Sequence, residues 1–152
     1  MEIQRILCPI DFSDFSNALN EHASQLAASS GATLIYLHVH FPDVPYGSYE
    51  FVNLEEEAEH LLEQLRRYQP SQSDVKAEYA IEYGTPASTI VRFAKEHSVD
   101  MIVMGTHGRT GWRRVLMGSV AEDVVRHSPV PVLAVKPETP AEEATTPDSD
   151  SA

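Results

Sequence analysis

A single cysteine, Cys8, stands in a chain of 152 residues. That excludes an internal disulfide and fits a reducing compartment such as the cytoplasm. Cys8 lies inside an apolar run, where a thiol packs and does not react. No stretch approaches the roughly 18 apolar residues that crossing a bilayer demands, so no membrane span is expected. The opening Met1-Glu2-Ile3-Gln4-Arg5-Ile6 enters a strand-like pattern with no basic n-region, so no secretory signal is expected. Basic residues are scarce: 11 Lys and Arg face 23 Asp and Glu, a net charge of −12. Five of the acids (Glu138, Glu142, Glu143, Asp148 and Asp150) follow Pro137, where no base occurs; the rest of the chain holds 18 acids against 11 bases, a net of −7. Such a surface argues against DNA, RNA or an anionic membrane as partner. It leaves a nucleotide open, because screening over about 8 Å lets local arginines outweigh distant carboxylates. Also missing are the Gly-x-Gly-x-x-Gly fingerprint, the P-loop, zinc-ligand spacing and any nucleophile–base arrangement. No catalytic residue and no metal ligand is assigned.

What is present centres on residues 105–119, Gly-Thr-His-Gly-Arg-Thr-Gly-Trp-Arg-Arg-Val-Leu-Met-Gly-Ser. An apolar run, Met101-Ile102-Val103-Met104, precedes it, and a helical pattern follows from Ser119. A strand, a glycine-spaced loop and a helix start are the parts of a phosphate site. Glycine lets the backbone approach an anion, and the first helical turn offers unpaired N–H groups at the positive end of a dipole. Arg109, Arg113 and Arg114 add positive charge. The same residues admit a reading without a ligand, since Ser119-Val120-Ala121-Glu122 fits a Ser-x-x-Glu capping box. The two are compatible: a serine hydroxyl can cap a helix or donate to a phosphate.

Along the chain, residues 3–10 form a nearly continuous apolar run, as in a strand buried on both faces of a parallel sheet. Ser13 or Ser16 is expected to cap the helix that follows, and Gly31 to end it. Residues 33–40 predict a second strand, whose His38 and His40 form a strand-end pair. Residues 41–53 carry two prolines and Gly47 and predict a loop; Leu54, Ala58, Leu61, Leu62 and Leu65 predict an amphipathic helix whose Glu55-Glu56-Glu57 start is a solvated face. Val75, Ala77, Tyr79 and Ile81 alternate with polar residues, as on a half-exposed edge strand. Thr85 as cap and Pro86 at the first position open a third helix, and residues 99–104 make the fourth strand. A last strand, Val132-Leu133-Ala134-Val135, follows the helix from Ser119. Strict β-α alternation implies a parallel, doubly wound sheet with right-handed crossovers. From Pro137 onward Pro, Glu, Thr, Ser and Asp leave almost nothing to bury, so residues 138–152 read as a disordered acidic tail on a single domain of residues 1–137.

Gly105-x2-Gly108-x9-Gly118-Ser119 resembles the nucleotide-binding signature Gly-x2-Gly-x9-Gly-Ser/Thr of the universal stress protein family. Ile6-Leu7-Cys8-Pro9-Ile10-Asp11-Phe12-Ser13 is similar to that family's first strand and acidic turn, Leu37-His38-Val39 to the end of its second strand, and residues 129–135 to its closing strand. The resemblance implies a Rossmann-like α/β fold: a five-stranded parallel sheet in the order 3-2-1-4-5, helices on both faces, and a ligand at the carboxyl ends of strands 1 and 4. It implies ATP as ligand; the sequence itself leaves ADP or AMP, and a Mg ion beside the phosphates, as open alternatives. By the same resemblance Pro9 and Asp11 flank the adenosine, the Asp11 carboxylate accepting from a ribose hydroxyl, and Val39 packs on adenine. Gly105 and Gly108 bring backbone N–H groups to phosphates and ribose, Gly118, Ser119 and Val120 donate from the helix start, and Arg109 faces the phosphates. Thr106 and His107 are neighbours of the ligand.

Hydrolysis would require a positioned water and a metal, which nothing in the sequence fixes near a γ-phosphate. The expectation is a nucleotide-responsive stress or regulatory protein; a slow Mg-dependent ATPase and a nucleotide-independent dimeric interaction protein are the alternatives. Val132, Leu133, Ala134 and Val135 would form a short apolar edge, which predicts a homodimer through the last strand.

Overall fold

In a computed structural model, which describes residues 1–41, 53–107 and 117–137, the expected alternation is realised in full. The elements are β1 (Arg5–Pro9), α1 (Ser16–Ser30), β2 (Thr33–His40), α2 (Leu54–Leu65), β3 (Ala77–Tyr83), α3 (Pro86–Glu96), β4 (Met101–Gly105), α4 (Ser119–His127) and β5 (Val132–Val135). All pairings are parallel and the strand order is β3-β2-β1-β4-β5.

Why β1 reads as unbroken apolar sequence follows from its place at the centre, between β2 and β4. Ile6, Leu7 and Cys8 are all 0% exposed. The pleat sends Ile6 and Cys8, with Leu34 and Tyr36 of β2, against Leu19, Ala23 and Ala27 of α1 and Leu65 of α2. Leu7, with Ile35 and Leu37, goes to the opposite face, against Ile90, Phe93 and Ala94 of α3 and Ala121 and Val124 of α4. Burial pushes the Cys8 thiol up to about 12, so this cysteine is a packing residue. The edge strand β3 keeps its alternation, with Tyr79 and Ile81 packed inward.

Several local expectations need correction. Neither Ser13 nor Ser16 caps α1: the N-cap position is Phe15, with no side-chain cap, and Ser16 is already helical. Gly31 does end that helix, at φ 72°. Thr85 occupies the N-cap of α3, but its hydroxyl makes no capping bond. Asn53, on the other hand, caps α2, its side chain accepting from the Glu56 N–H at 3.3 Å. The acidic start of α2 is not wholly a solvated face, because Glu57 Oε1 meets His40 Nε2 at 2.9 Å and Glu57 Oε2 is buried with no donor among the described residues. The two histidines of β2 do form a strand-end pair, their ring centroids 6.0 Å apart, and each has a further contact of its own, His38 Nδ1 lying against the Ile10 carbonyl. The capping box at α4 is not formed either. Gly118 holds the N-cap position in extended conformation, Ser119 is the first helical residue, and no side chain caps the helix.

Chain order and sheet order part company between β1 and β4. The connection after β1 leaves toward α1 on one face, and the chain after β4 leads to α4 on the other. The crevice that opens at such a divergence is where open α/β sheets take ligands. The proposed tail, residues 138–152, lies outside the described residues.

Candidate functional site

Two turns build the walls of that crevice. Leaving β1, the Ile10 N–H donates to the Leu37 carbonyl of β2 at 2.8 Å, which keeps the chain against the sheet for one residue more. Asp11 Oδ1 then accepts from the Ser13 N–H at 2.9 Å and from the Ser16 hydroxyl at 3.2 Å. An aspartate that bonds the backbone two residues on forms a tight side-chain-closed turn. It is compact enough here that Phe12 takes φ 62°, a conformation bulky residues avoid.

The second wall begins where β4 ends. Thr106 is 1% exposed and bonded on three sides. Its N–H donates to the Val135 carbonyl of β5 at 3.0 Å, and its carbonyl accepts from the Gly118 N–H at 2.6 Å. Its hydroxyl shares a hydrogen bond with His107 Nδ1 at 2.9 Å. The glycine at 118 is a requirement of this closure: a Cβ there would stand 2.9 Å from the Thr106 carbonyl oxygen. Helix α4 therefore starts abruptly. Its first intrahelical bond runs from the Glu122 N–H to the Gly118 carbonyl, so the preceding amides have no helical acceptor.

Between the walls lies a cavity of about 460 Å³. Its apolar side is made by Leu37, Val39, Pro86, Ile90 and Met104; its polar side by Asp11, Ser13 and Ser16 opposite Thr106, His107 and Ser119. Pro9, Asp11, Val39, Gly105, Gly118, Ser119 and Val120 all line it, seven of the nine expected site residues. Gly108 and Arg109, like Arg113 and Arg114, lie outside the described residues. Asp11 is the one carboxylate among the described lining residues, and none of those residues is Lys or Arg.

Gly105 is present for a reason the sequence did not suggest. A Cβ there would meet Cδ1 and Cε1 of Phe15 at 3.1 Å, so the missing side chain makes room for a ring from the start of α1. Phe15, Pro86, Ile90 and Met117 line the cavity and escaped the sequence reading. No local pattern marks Phe15, Pro86 and Ile90, because they arrive from α1 and α3, and Met117, inside the glycine stretch, carries no ligand-binding signature of its own. Ser13 could have been found from the Asp-x-Ser spacing. Among the described residues no group of three or more His, Cys, Asp or Glu side chains could hold a metal ion, and no helix is long and apolar enough to cross a membrane.

The family profile described as "Universal stress protein family" matches residues 2–136. The universal stress protein MJ0531 of Methanocaldococcus jannaschii is 36% identical over 140 residues, covering 88% of this chain and 82% of its own length. Among solved structures, the M. jannaschii protein MJ0577 superposes with a TM-score of 0.76 at 32% identity, over 92% of this chain and 100% of that one. A universal stress protein in complex with cAMP superposes with a TM-score of 0.67 at 26% identity, over 89% of this chain and 98% of its own.

Proposed function

Since the chain belongs to the universal stress protein family, we propose that the cavity between the β1 and β4 turns binds an adenine nucleotide, ATP in the first instance. The protein is then a cytoplasmic, nucleotide-responsive stress or regulatory protein, and turnover of the nucleotide is not its task. The observation that carries this reading is the Gly118 turn. By pressing against the Thr106 carbonyl it starts α4 without a side-chain cap and leaves that helix's first amides on a cavity whose far rim is Asp11. Anions favour such a terminus. The relative bound to cAMP lends support to an adenine ligand.

In this reading the Val39 and Pro9 side of the cavity takes the adenine, and Asp11 accepts from a ribose hydroxyl. The amides and hydroxyl at Ser119 and Val120 receive phosphate oxygens, with Gly108 and Arg109 completing the cradle. Mg accompanies the phosphates. Four or five charge-assisted hydrogen bonds, each netting about 1.5–3 kcal/mol, together with burial of the adenine, supply the roughly 8 kcal/mol of a micromolar complex after the cost of immobilisation. The protein works as a homodimer joined through Val132, Leu133, Ala134 and Val135, where Leu133 is 44% exposed.

The test is thermal unfolding with and without ATP, joined to mass spectrometry of whatever small molecule the denatured, freshly purified protein releases. ATP at millimolar concentration should raise the melting temperature by several degrees, as mass action requires for a micromolar ligand. Gly108→Val should abolish the rise. An unchanged wild-type curve, with no nucleotide released, would sink the reading.

A further inference from the structure

Near its end, β2 carries a buried histidine that the nucleotide reading leaves without a task. His38 is 7% exposed. Its Nδ1 lies 2.7 Å from the Ile10 carbonyl oxygen. A carbonyl only accepts, so Nδ1 bears the proton. The bond answers a specific need. β1 ends at Pro9, so the Ile10 carbonyl has left the ladder, and at 2% exposure it is buried with its residue. A buried carbonyl requires a donor, and the imidazole supplies what a strand N–H no longer does.

The same ring holds the chain on the other side of Asp11. The Phe12 ring lies tilted over His38 with centroids 4.3 Å apart and an interplanar angle of 34°. Phe12 adopts φ 62° in this turn. One imidazole thus grips the residue before Asp11 through a hydrogen bond and the residue after it through ring contact. Between the two fixed points the Asp11 carboxylate stands on the rim of the cavity.

We infer that His38 is the positioning residue for Asp11, setting the carboxylate for a hydroxyl-bearing ligand without touching that ligand. The inference rests on the adenine-nucleotide reading above and deepens it. It makes discrimination for a ribose hydroxyl depend on a side chain of the neighbouring strand β2.

The experiment is isothermal titration of the full chain with ATP, 2′-deoxy-ATP and 3′-deoxy-ATP. The proteins are the wild type, Asp11→Asn, His38→Asn and His38→Gln. An asparagine amide nitrogen falls where Nδ1 was; a glutamine amide reaches toward the position of Nε2 and misses the Ile10 carbonyl. Wild type should prefer ATP over the analogue lacking the contacted hydroxyl by about tenfold, the size of one charge-assisted hydrogen bond. Asp11→Asn should bring that ratio close to one. His38→Asn should stay within about threefold of wild type, and His38→Gln should fall with Asp11→Asn. A merely structural role would weaken all three ligands together and leave the ratio unchanged.

Equal ratios in the two His38 variants overturn the inference, as does a wild type that binds all three nucleotides alike. A wild type that binds none defeats the nucleotide reading itself. If His38→Gln does not fold, nitrogen-15 spectra of the histidines in the wild type decide instead. A protonated Nδ1 at His38 that responds to ATP more than to the discriminating analogue upholds the inference. A His38 ring protonated on Nε2 alone overturns it.

Discussion

A methyl group at position 118 and one at position 105 would meet different obstacles, although a spacing pattern treats the two glycines alike. At 118 the obstacle is backbone, the Thr106 carbonyl oxygen at 2.9 Å, which also accepts the 2.6 Å bond from the same residue's N–H. At 105 it is the edge of the Phe15 ring at 3.1 Å, a side chain that can yield a few tenths of an ångström. Gly118→Ala should therefore cost about 1–3 kcal/mol of stability, the range of an overpacked core position, and should abolish the ATP-dependent rise in melting temperature. Gly105→Ala should cost less and leave a reduced rise. Urea unfolding with and without ATP checks both, and equal losses at the two positions would contradict the distinction. The glycine spacing was legible in the sequence, but the reason for Gly105 was not. Phe15 stands 90 residues away in the chain, and nothing local to either residue records the contact. Asp11 shows the same limit. Its place beside the site could be read from the family resemblance, whereas its bonds to Ser13 and Ser16 appear only once the turn is folded.

Elements were more legible than their ends. β2 is bounded on both sides by changes of composition, and its expected and observed limits, residues 33 and 40, agree. β1 and β4 are shorter than their apolar runs, because burial extends beyond the strand limits: Ile10 and Val99 are buried outside the strands. Caps were read least well, since a cap is a matter of backbone dihedrals as much as of residue type. At α4 a serine followed three residues later by a glutamate has the composition of a capping box, yet the extended residue is Gly118, and the serine stands one position too late. That shift separates two roles that the sequence left together. If Ser119 capped the helix, Ser119→Ala would cost about 1 kcal/mol of stability. With the helix starting at Ser119, the variant should unfold within about 0.5 kcal/mol of wild type, as surface changes do, and should instead bind ATP several-fold more weakly. Asn53→Ala is the control at a real cap and should lose about 1 kcal/mol. Urea midpoints and titration calorimetry distinguish the cases. A destabilised Ser119→Ala with wild-type ATP affinity would restore the capping role.

At the scale of the whole molecule, the sheet ends in β3 on one side and β5 on the other, and among the described residues the two edges are defended unequally. Along β3 the outward positions carry Glu78 and Glu82, the first paired with Arg5 at 3.1 Å and the second near Arg92 at 4.0 Å. Charge on an edge strand opposes pairing with another chain. β5 offers Val132, Leu133, Ala134 and Val135 with no charge, and Leu133 is 44% exposed. A body carrying excess negative charge resists association in general, which makes the uncharged β5 edge the surface for the proposed dimer. There the short strand can pair with its own copy across a two-fold axis. The same strand is tied to the cavity through the Thr106 N–H and the Val135 carbonyl, so the proposed interface and the proposed site share a bond. Leu133→Lys should therefore convert a dimer to a monomer in sedimentation velocity at micromolar concentration. Because the side chain is already half in solvent, the variant should keep the folded far-ultraviolet spectrum. Glu78→Lys, on the opposite edge, should leave the sedimentation coefficient of the wild type unchanged. A Leu133→Lys protein that still sediments as a dimer would remove β5 from the interface, and a monomeric wild type would remove the dimer altogether.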